Sequence, residues 1–210
     1  MPDDTQRAAV ARALLAAGTV TLTPNEPVTF KSGLRSPVYV DNRRLIFQPG
    51  PWRTVIDAFA AMLPSDAPVI AGVESAGIPH SSALAYSAGL PSVFVRKAAK
   101  AHGLGRRIEG GEVAGRRAVL VEDMVTTGGS SLSAVEALRE AGAEVSDCLA
   151  IITYGFSEAV AAFEAADVTL TTLTTFEAVV AQALAVGTID EREAQLVRSW
   201  LADPHAWDGR

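Results

Sequence analysis

Val119-Leu120-Val121-Glu122-Asp123-Met124-Val125-Thr126-Thr127-Gly128-Gly129-Ser130-Ser131 is the stretch that decides how this chain folds. The apolar run from Ala118 to Val121 reads as a buried parallel strand, since it shows none of the polar alternation of a half-solvated one. It ends in two adjacent carboxylates, Glu122 and Asp123, followed by a Thr/Gly/Ser turn and by Leu132, Val135 and Leu138 at helical spacing. Such a turn places free backbone N–H groups and hydroxyls at a helix N-terminus, where a phosphate is stabilised without any cationic side chain. The acids ahead of the turn repel a phosphate, so they should face sugar hydroxyls or a metal ion. A phosphate beside a diol describes a ribose 5-phosphate.

Two other phosphate motifs fail here. A P-loop needs a Lys directly after its last glycine, and none follows Gly128 or Gly129. A dinucleotide fingerprint carries its acid some 20 residues after the glycines, whereas Glu122 and Asp123 precede them.

Outward from this stretch the chain alternates. Asp3 or Asp4 caps a helix running to Ala16, with Gly18 beyond its end. Short extended pieces are expected at 20–22, 28–30 and 38–41, and a helix from Pro51 to about Met62. Strands near 69–73, 92–95, 118–121, 145–153 and 168–173 then alternate with helices near 78–88, 130–141, 158–165 and 176–185, and a last helix spans 191–201. That rhythm predicts an α/β fold with a central parallel sheet flanked by helices.

The chain has 210 residues, 49% of them hydrophobic, enough to bury one sizeable core. Its net charge of −6 argues against general nucleic-acid binding. No apolar stretch reaches the roughly 18 residues of a membrane span, and the acidic start Met1-Pro2-Asp3-Asp4 is unlike a signal peptide, so a cytoplasmic protein is expected. The single cysteine, Cys148, lies in an apolar run and reads as a core residue, as does His80 on its helix, while His205 reads as surface.

Of the 18 basic residues only three are Lys: Lys31, Lys97 and Lys100. In a chain so biased towards Arg, the survivors mark positions that need a compact ammonium on a flexible stem. Two of them fall in Arg96-Lys97-Ala98-Ala99-Lys100-Ala101-His102-Gly103-Leu104-Gly105-Arg106-Arg107-Ile108-Glu109-Gly110-Gly111, which breaks the strand–helix rhythm. Its length, glycines and positive charge suit a functional loop that captures and releases a polyanion.

The Glu-Asp…Thr-Thr-Gly-Gly stretch resembles the phosphoribosyl-diphosphate signature of type I phosphoribosyltransferases. The Arg-Lys-x-x-Lys-x-His-Gly-x-Gly loop, ending Ile108-Glu109-Gly110, resembles the catalytic loop of the orotate phosphoribosyltransferases. So does Lys31-Ser32-Gly33-Leu34-Arg35-Ser36-Pro37-Val38-Tyr39, and Gly72-Val73-Glu74-Ser75-Ala76-Gly77 resembles the family's turn beside the pyrophosphate. The likeness covers roughly residues 20–155. It implies one phosphoribosyltransferase domain over 1–210, with an N-terminal helix and hood at roughly 1–45, a core at roughly 46–210 and a mobile catalytic loop. It implies transfer of the phosphoribosyl group of 5-phosphoribosyl-1-diphosphate to orotate, giving orotidine 5′-monophosphate and diphosphate in pyrimidine biosynthesis.

The same likeness assigns roles. Thr126, Thr127, Gly128, Gly129 and Ser130 would cradle the 5-phosphate, and Glu122 and Asp123 would hold the ribose hydroxyls. Arg96, Lys97, Lys100 and His102 would neutralise the diphosphate together with Mg²⁺, which is held mainly by substrate and water. Lys31 would face orotate or the leaving group, and the backbone of Glu74, Ser75, Ala76 and Gly77 would line the pocket. Catalysis falls to Lys97, Lys100, His102 and Asp123. A homodimer with shared active sites is implied, each loop reaching its neighbour's site.

Two positions depart from the family. Tyr154 stands where some members carry an Arg on the orotate carboxylate, which leaves that contact to Arg35 or to backbone N–H groups. The turn at Glu74-Ser75-Ala76 lacks the Tyr-Lys pair of other members. Transfer to another nucleobase is opposed by the Lys-Ser-Gly-x-x-Ser-Pro segment. A non-catalytic nucleic-acid-binding regulator is opposed by the complete loop and the acidic remainder.

Overall fold

The computed structural model describes residues 2–30, 33–66, 69–98 and 107–207. Its backbone divides into two compact units, one on Val55–Leu173 and one on Asp3–Thr54 with Thr174–Arg210. The N-terminal part of the second unit opens with α1 (Asp4–Ala16), where Asp3 caps the helix by accepting the Gln6 N–H at 2.8 Å. Four short strands follow: β1 (Val20–Leu22), β2 (Val28–Thr29), β3 (Arg35–Ser36) and β4 (Val38–Val40). They pair as two antiparallel ribbons, β1 with β4 and β2 with β3. A 3₁₀ turn over Asn42–Phe47 leads into α2 (Pro49–Met62), within which the chain crosses to the other unit.

That unit runs β5 (Val69–Val73), α3 (Gly77–Ala88), β6 (Ser92–Val95), β7 (Ile108–Glu109), β8 (Arg117–Val125), α4 (Gly129–Glu140), β9 (Glu144–Thr153), α5 (Ser157–Ala165) and β10 (Thr169–Thr172). The strands form one six-stranded sheet in the order β10-β9-β8-β5-β6-β7, parallel except for β7, which returns antiparallel to β6. Every residue of β5 is buried, as a central strand covered on both faces requires. On one face Val69, Ala71 and Val73 join Val135, Leu138 and Phe163 in a single apolar cluster under α4 and α5. The alternate residue Gly72 faces α3, where a Cβ would overlap Ser81.

The chain turns back at Thr174 to complete the second unit with α6 (Phe176–Ala185) and α7 (Glu191–Ala202). The Thr174 hydroxyl donates to the Arg7 carbonyl at 2.9 Å, and α6 packs on α1. A reciprocal Asp190–Glu193 capping box starts α7. From α7 the fully buried Trp200 donates its indole N–H to the Arg35 carbonyl at 2.8 Å.

The alternating strands and helices fall within a residue or so of where the apolar periodicity places them, apart from the following differences and the short strand β3. The strand carrying the acid pair does not stop at Val121 but continues to Val125. The reason is its neighbour: β9 is ten residues long, and its register keeps Glu122 opposite Ala150 and Val125 opposite Thr153. The helix expected from Pro51 begins at Pro49, because proline is tolerated in a first turn. β7 was not expected, and it makes the sheet mixed. Cys148 and His80 are fully buried and His205 is exposed, as read from the sequence. Among the described residues, no helix is long and apolar enough to cross a membrane.

Candidate active site

The chain order of the strands reverses at β5. From it the chain moves to β6 on one side and to β8 on the other. In doubly wound sheets the crevice outside the carboxyl ends of the strands at such a point is where ligands bind. Here those ends carry Glu74 after β5, Arg96 and Lys97 after β6, and Glu122 and Asp123 on β8.

β8 hands over to α4 through the exposed Thr126 and Thr127 and through Gly128, whose φ of +86° is left-handed. Glycine is required here twice over. A side chain is strained at that φ, and a Cβ would meet the Phe163 ring at 2.9 Å. Among the described residues no side chain caps the helix that follows, and its first two residues, Gly129 and Ser130, are exposed. The first-turn N–H groups and the positive end of the helix dipole therefore face outward, which is the anion-binding arrangement.

The two acids differ in setting. Glu122 is 5% exposed, and its Oε1 accepts the Asp123 N–H at 3.1 Å. Its Oε2 accepts the hydroxyls of Ser130 and Ser131, each at 3.4 Å. Burial first, and then the charge of Asp123, hold the Glu122 carboxyl well above the usual carboxylate range. Asp123 is half-buried. Glu122 thus ties β8 to the start of α4 while its neighbour keeps access to solvent.

On the β5 side the Glu74–Ser75 peptide is cis, and Gly77 opens α3. A Cβ on Gly77 would lie 2.6 Å from the Val121 carbonyl oxygen, so this turn is packed directly against β8. Glu74 Oε2 accepts the Lys97 N–H at 2.8 Å, and Oε1 lies 4.0 Å from Arg96 Nε. Arg96 also faces Glu109 at 3.8 Å. The fold therefore brings together Glu74–Gly77, Arg96, Lys97, Glu122, Asp123 and Thr126–Ser130. A cleft of about 190 Å³ between the β6 exit and α4 is lined by Arg96, Lys97 and Ser130 among others. Lys31, Lys100 and His102 lie outside the described residues.

Tyr154 does not reach out as the Arg of some relatives would. It is 9% exposed and stacks on Phe156 with ring centroids 5.3 Å apart and planes 10° from parallel. One residue with a clear part in this geometry escaped the sequence reading. Arg107 donates to the Arg96 carbonyl at 2.9 Å and to the Ser133 carbonyl and hydroxyl at 3.1 Å each. Sequence offered only its charge and its place at the far end of the loop.

A crevice built from an uncapped, glycine-led helix behind an acid pair, with cations on the adjoining strand end, defines a class. The family described as the phosphoribosyl transferase domain matches residues 55–180, and the chain belongs to the phosphoribosyltransferases. Within them it belongs with the orotate phosphoribosyltransferases. A relative of that name from Bacillus caldolyticus is 42% identical over 201 residues, covering 94% of this chain and 97% of its own. Among solved structures, an orotate phosphoribosyltransferase from Aeropyrum pernix matches with a TM-score of 0.74 at 27% identity, covering 86% of this chain and 99% of that one. Leishmania donovani UMP synthase matches with a TM-score of 0.80 at 28% identity over 93% of this chain, which spans 42% of that longer protein.

Proposed function

We propose that the crevice transfers the phosphoribosyl group of 5-phosphoribosyl-1-diphosphate to orotate with the residue roles that follow. The observation that carries this reading is the open N-terminus of α4 directly after Glu122 and Asp123. Backbone N–H groups from Gly129 onward, with the hydroxyls of Thr126, Thr127 and Ser130, hold the 5-phosphate. Asp123 takes the ribose hydroxyls, with Glu122 behind it. The negative charge of Asp123 favours the cationic character that grows at the anomeric carbon as the diphosphate departs. Arg96, Lys97, Lys100 and His102 neutralise the leaving group, Lys31 stands on the orotate side, and the Glu74–Gly77 backbone lines the diphosphate.

Mg²⁺ fits this site through the substrate. Among the described residues no group of three or more His, Cys, Asp or Glu could hold a metal, whereas a diphosphate supplies hard oxygens of its own. Asp123 would be the carboxylate nearest to such an ion, and the chemistry the ion would supply is neutralisation of diphosphate charge. The whole chain acts as one cytoplasmic domain, paired into a homodimer with shared sites.

The test is diphosphate release with a panel of bases. Orotate should support turnover, and adenine, guanine, xanthine and uracil little. Uracil decides, because it lacks only the carboxylate, and a site built for that charge is left with unpaired buried donors. Equal rates with uracil and orotate would overturn the assignment. The shared site has its own test in co-expressed Lys100→Ala and Asp123→Asn chains. Their heterodimer concentrates both lesions in one site and should recover about half of wild-type activity. No recovery from verified heterodimers would confine each loop to its own subunit.

A further inference from the structure

Arg107 is the first described residue after the loop, and it contacts both the β6 exit and α4. Its carbonyl accepts the Arg96 N–H at 2.8 Å, and its Nε donates to the Arg96 carbonyl at 2.9 Å. Both main-chain polar groups of Arg96 are therefore satisfied by this one residue. The pair continues the β6–β7 register, in which Phe94 faces Glu109 and Val95 faces Ile108. The remaining arms of the guanidinium reach across to α4, donating to the Ser133 carbonyl and hydroxyl at 3.1 Å each. Ser133 lies one turn beyond Gly129, where the phosphate-facing end of α4 begins.

We propose that Arg107 is a positioning residue for phosphoribosyl transfer, holding the Arg96–Lys97 strand exit at a fixed spacing from the α4 N-terminus. This rests on the reading that α4 takes the 5-phosphate while Arg96 and Lys97 face the diphosphate. One substrate carries both groups, joined through a ribose of fixed length, so the two sides of the site must keep a matching separation. Neither side sets it alone. Arg96 follows a strand end and Ser133 lies on a helix, and Arg107 joins both to one rigid plane of donors. A lysine cannot reproduce this, because an ammonium on a flexible stem lacks the planar fork that spans a carbonyl on one element and a carbonyl and hydroxyl on another.

The experiment compares wild type with Arg107→Lys, Arg107→Gln, Ser133→Ala and the double variant Arg107→Gln/Ser133→Ala, measuring kcat and KM for each substrate together with Tm. Misplacing one half of the site should raise KM for phosphoribosyl diphosphate and cut kcat/KM for it about tenfold or more in both Arg107 variants. KM for orotate should stay within about twofold, and Ser133→Ala should add little to Arg107→Gln, since both break one connection. A merely structural role would lower Tm and the yield of folded enzyme while leaving both KM values alone. Wild-type KM for phosphoribosyl diphosphate in Arg107→Lys, or additive effects in the double variant, would overturn the proposal. If Arg107→Gln does not fold, Ser133→Ala still decides: a several-fold rise in the same KM at unchanged Tm supports it, and no rise overturns it. An active wild type with indifferent variants sinks this inference alone, whereas a wild type that transfers nothing to orotate sinks the functional reading and this with it.

Discussion

The turns after β5 and β8 are built to one plan, a strand end with an acid, a few small residues and a glycine opening a helix, yet they are put to different uses. After β5 the acid is already spent on protein, since Glu74 holds the Lys97 N–H. The opening glycine, Gly77, is buried against the Val121 carbonyl. Pro79 sits in the first turn of α3 and removes one of the N–H groups that a helix end could offer. After β8 the opposite holds: Gly129 and Ser130 are exposed, each first-turn residue keeps its N–H, and hydroxyls surround them. A helix N-terminus in a crevice thus does not by itself offer a full first turn of donors. Its first turn must also be uncovered and free of proline. The β5 turn supplies shape and the β8 turn supplies donors.

The largest expected effect lies on the β8 side. Asp123→Asn should keep the fold and lose about 10²-fold or more in turnover, the scale for removing one electrostatic contact at a transition state. A folded variant working at near wild-type rate would take Asp123 out of the chemistry. The β5 side should instead show itself in stability. Gly77→Ala must push a Cβ into backbone, and overpacking of that kind costs about 2–3 kcal/mol, readable as a lower urea midpoint. A wild-type midpoint would mean that the turn yields, and the contrast between a packed turn and an open one would fall.

The third effect concerns pH. Burial on the inner side of α3 pushes the His80 imidazole down to about 4 from an ordinary 6.5, so the folded state holds it neutral. Between those values the unfolded chain binds the proton and the folded one does not. His80 therefore favours folding fully above pH 6.5, and this contribution is lost as pH falls towards 4. Lowering pH from 7 to 5 should cost about 2 kcal/mol through this residue. Urea titrations of wild type and His80→Asn should show the variant's pH slope flatter in that window, and parallel slopes would refute it. Smallest of all, Gly129→Ala meets nothing closer than the Thr127 hydroxyl oxygen at 4.0 Å, so its unfolding free energy should stay within about 0.5 kcal/mol of wild type. A loss as large as that of Gly77→Ala would erase the difference between the two turns.

Most of the sheet was legible because its strands are long apolar runs bounded by glycine and by helices of clear period. What escaped was short or reciprocal. β3 and β7 have two residues each, too few for any periodicity. The reach of β8 past its acids is dictated by its partner β9, and no local pattern in Glu122-Asp123-Met124-Val125 announces it. The candidate residues that the fold brings together could be listed from their motifs, but the unequal settings of Glu122 and Asp123 could not, since Glu122 is enclosed by the start of α4. Arg107 was hidden for the same reason. Its value lies in Ser133, 26 positions away, and a basic residue among other basic residues carries no mark of that.

Cys148 gives the molecule a reporter of its own. It is the only cysteine in the chain, it is fully buried on β9, and it stands between Leu120 of β8 and Leu170 of β10. Burial raises its thiol further above the ordinary range, so the reactive thiolate is scarce as well as shielded. A thiol reagent can reach that sulfur only when the centre of the sheet parts, so the rate of single-site labelling clocks the opening of the core without any added probe. Substrates that clamp the strand ends should slow that clock, and this would make ligand occupancy measurable in the absence of turnover.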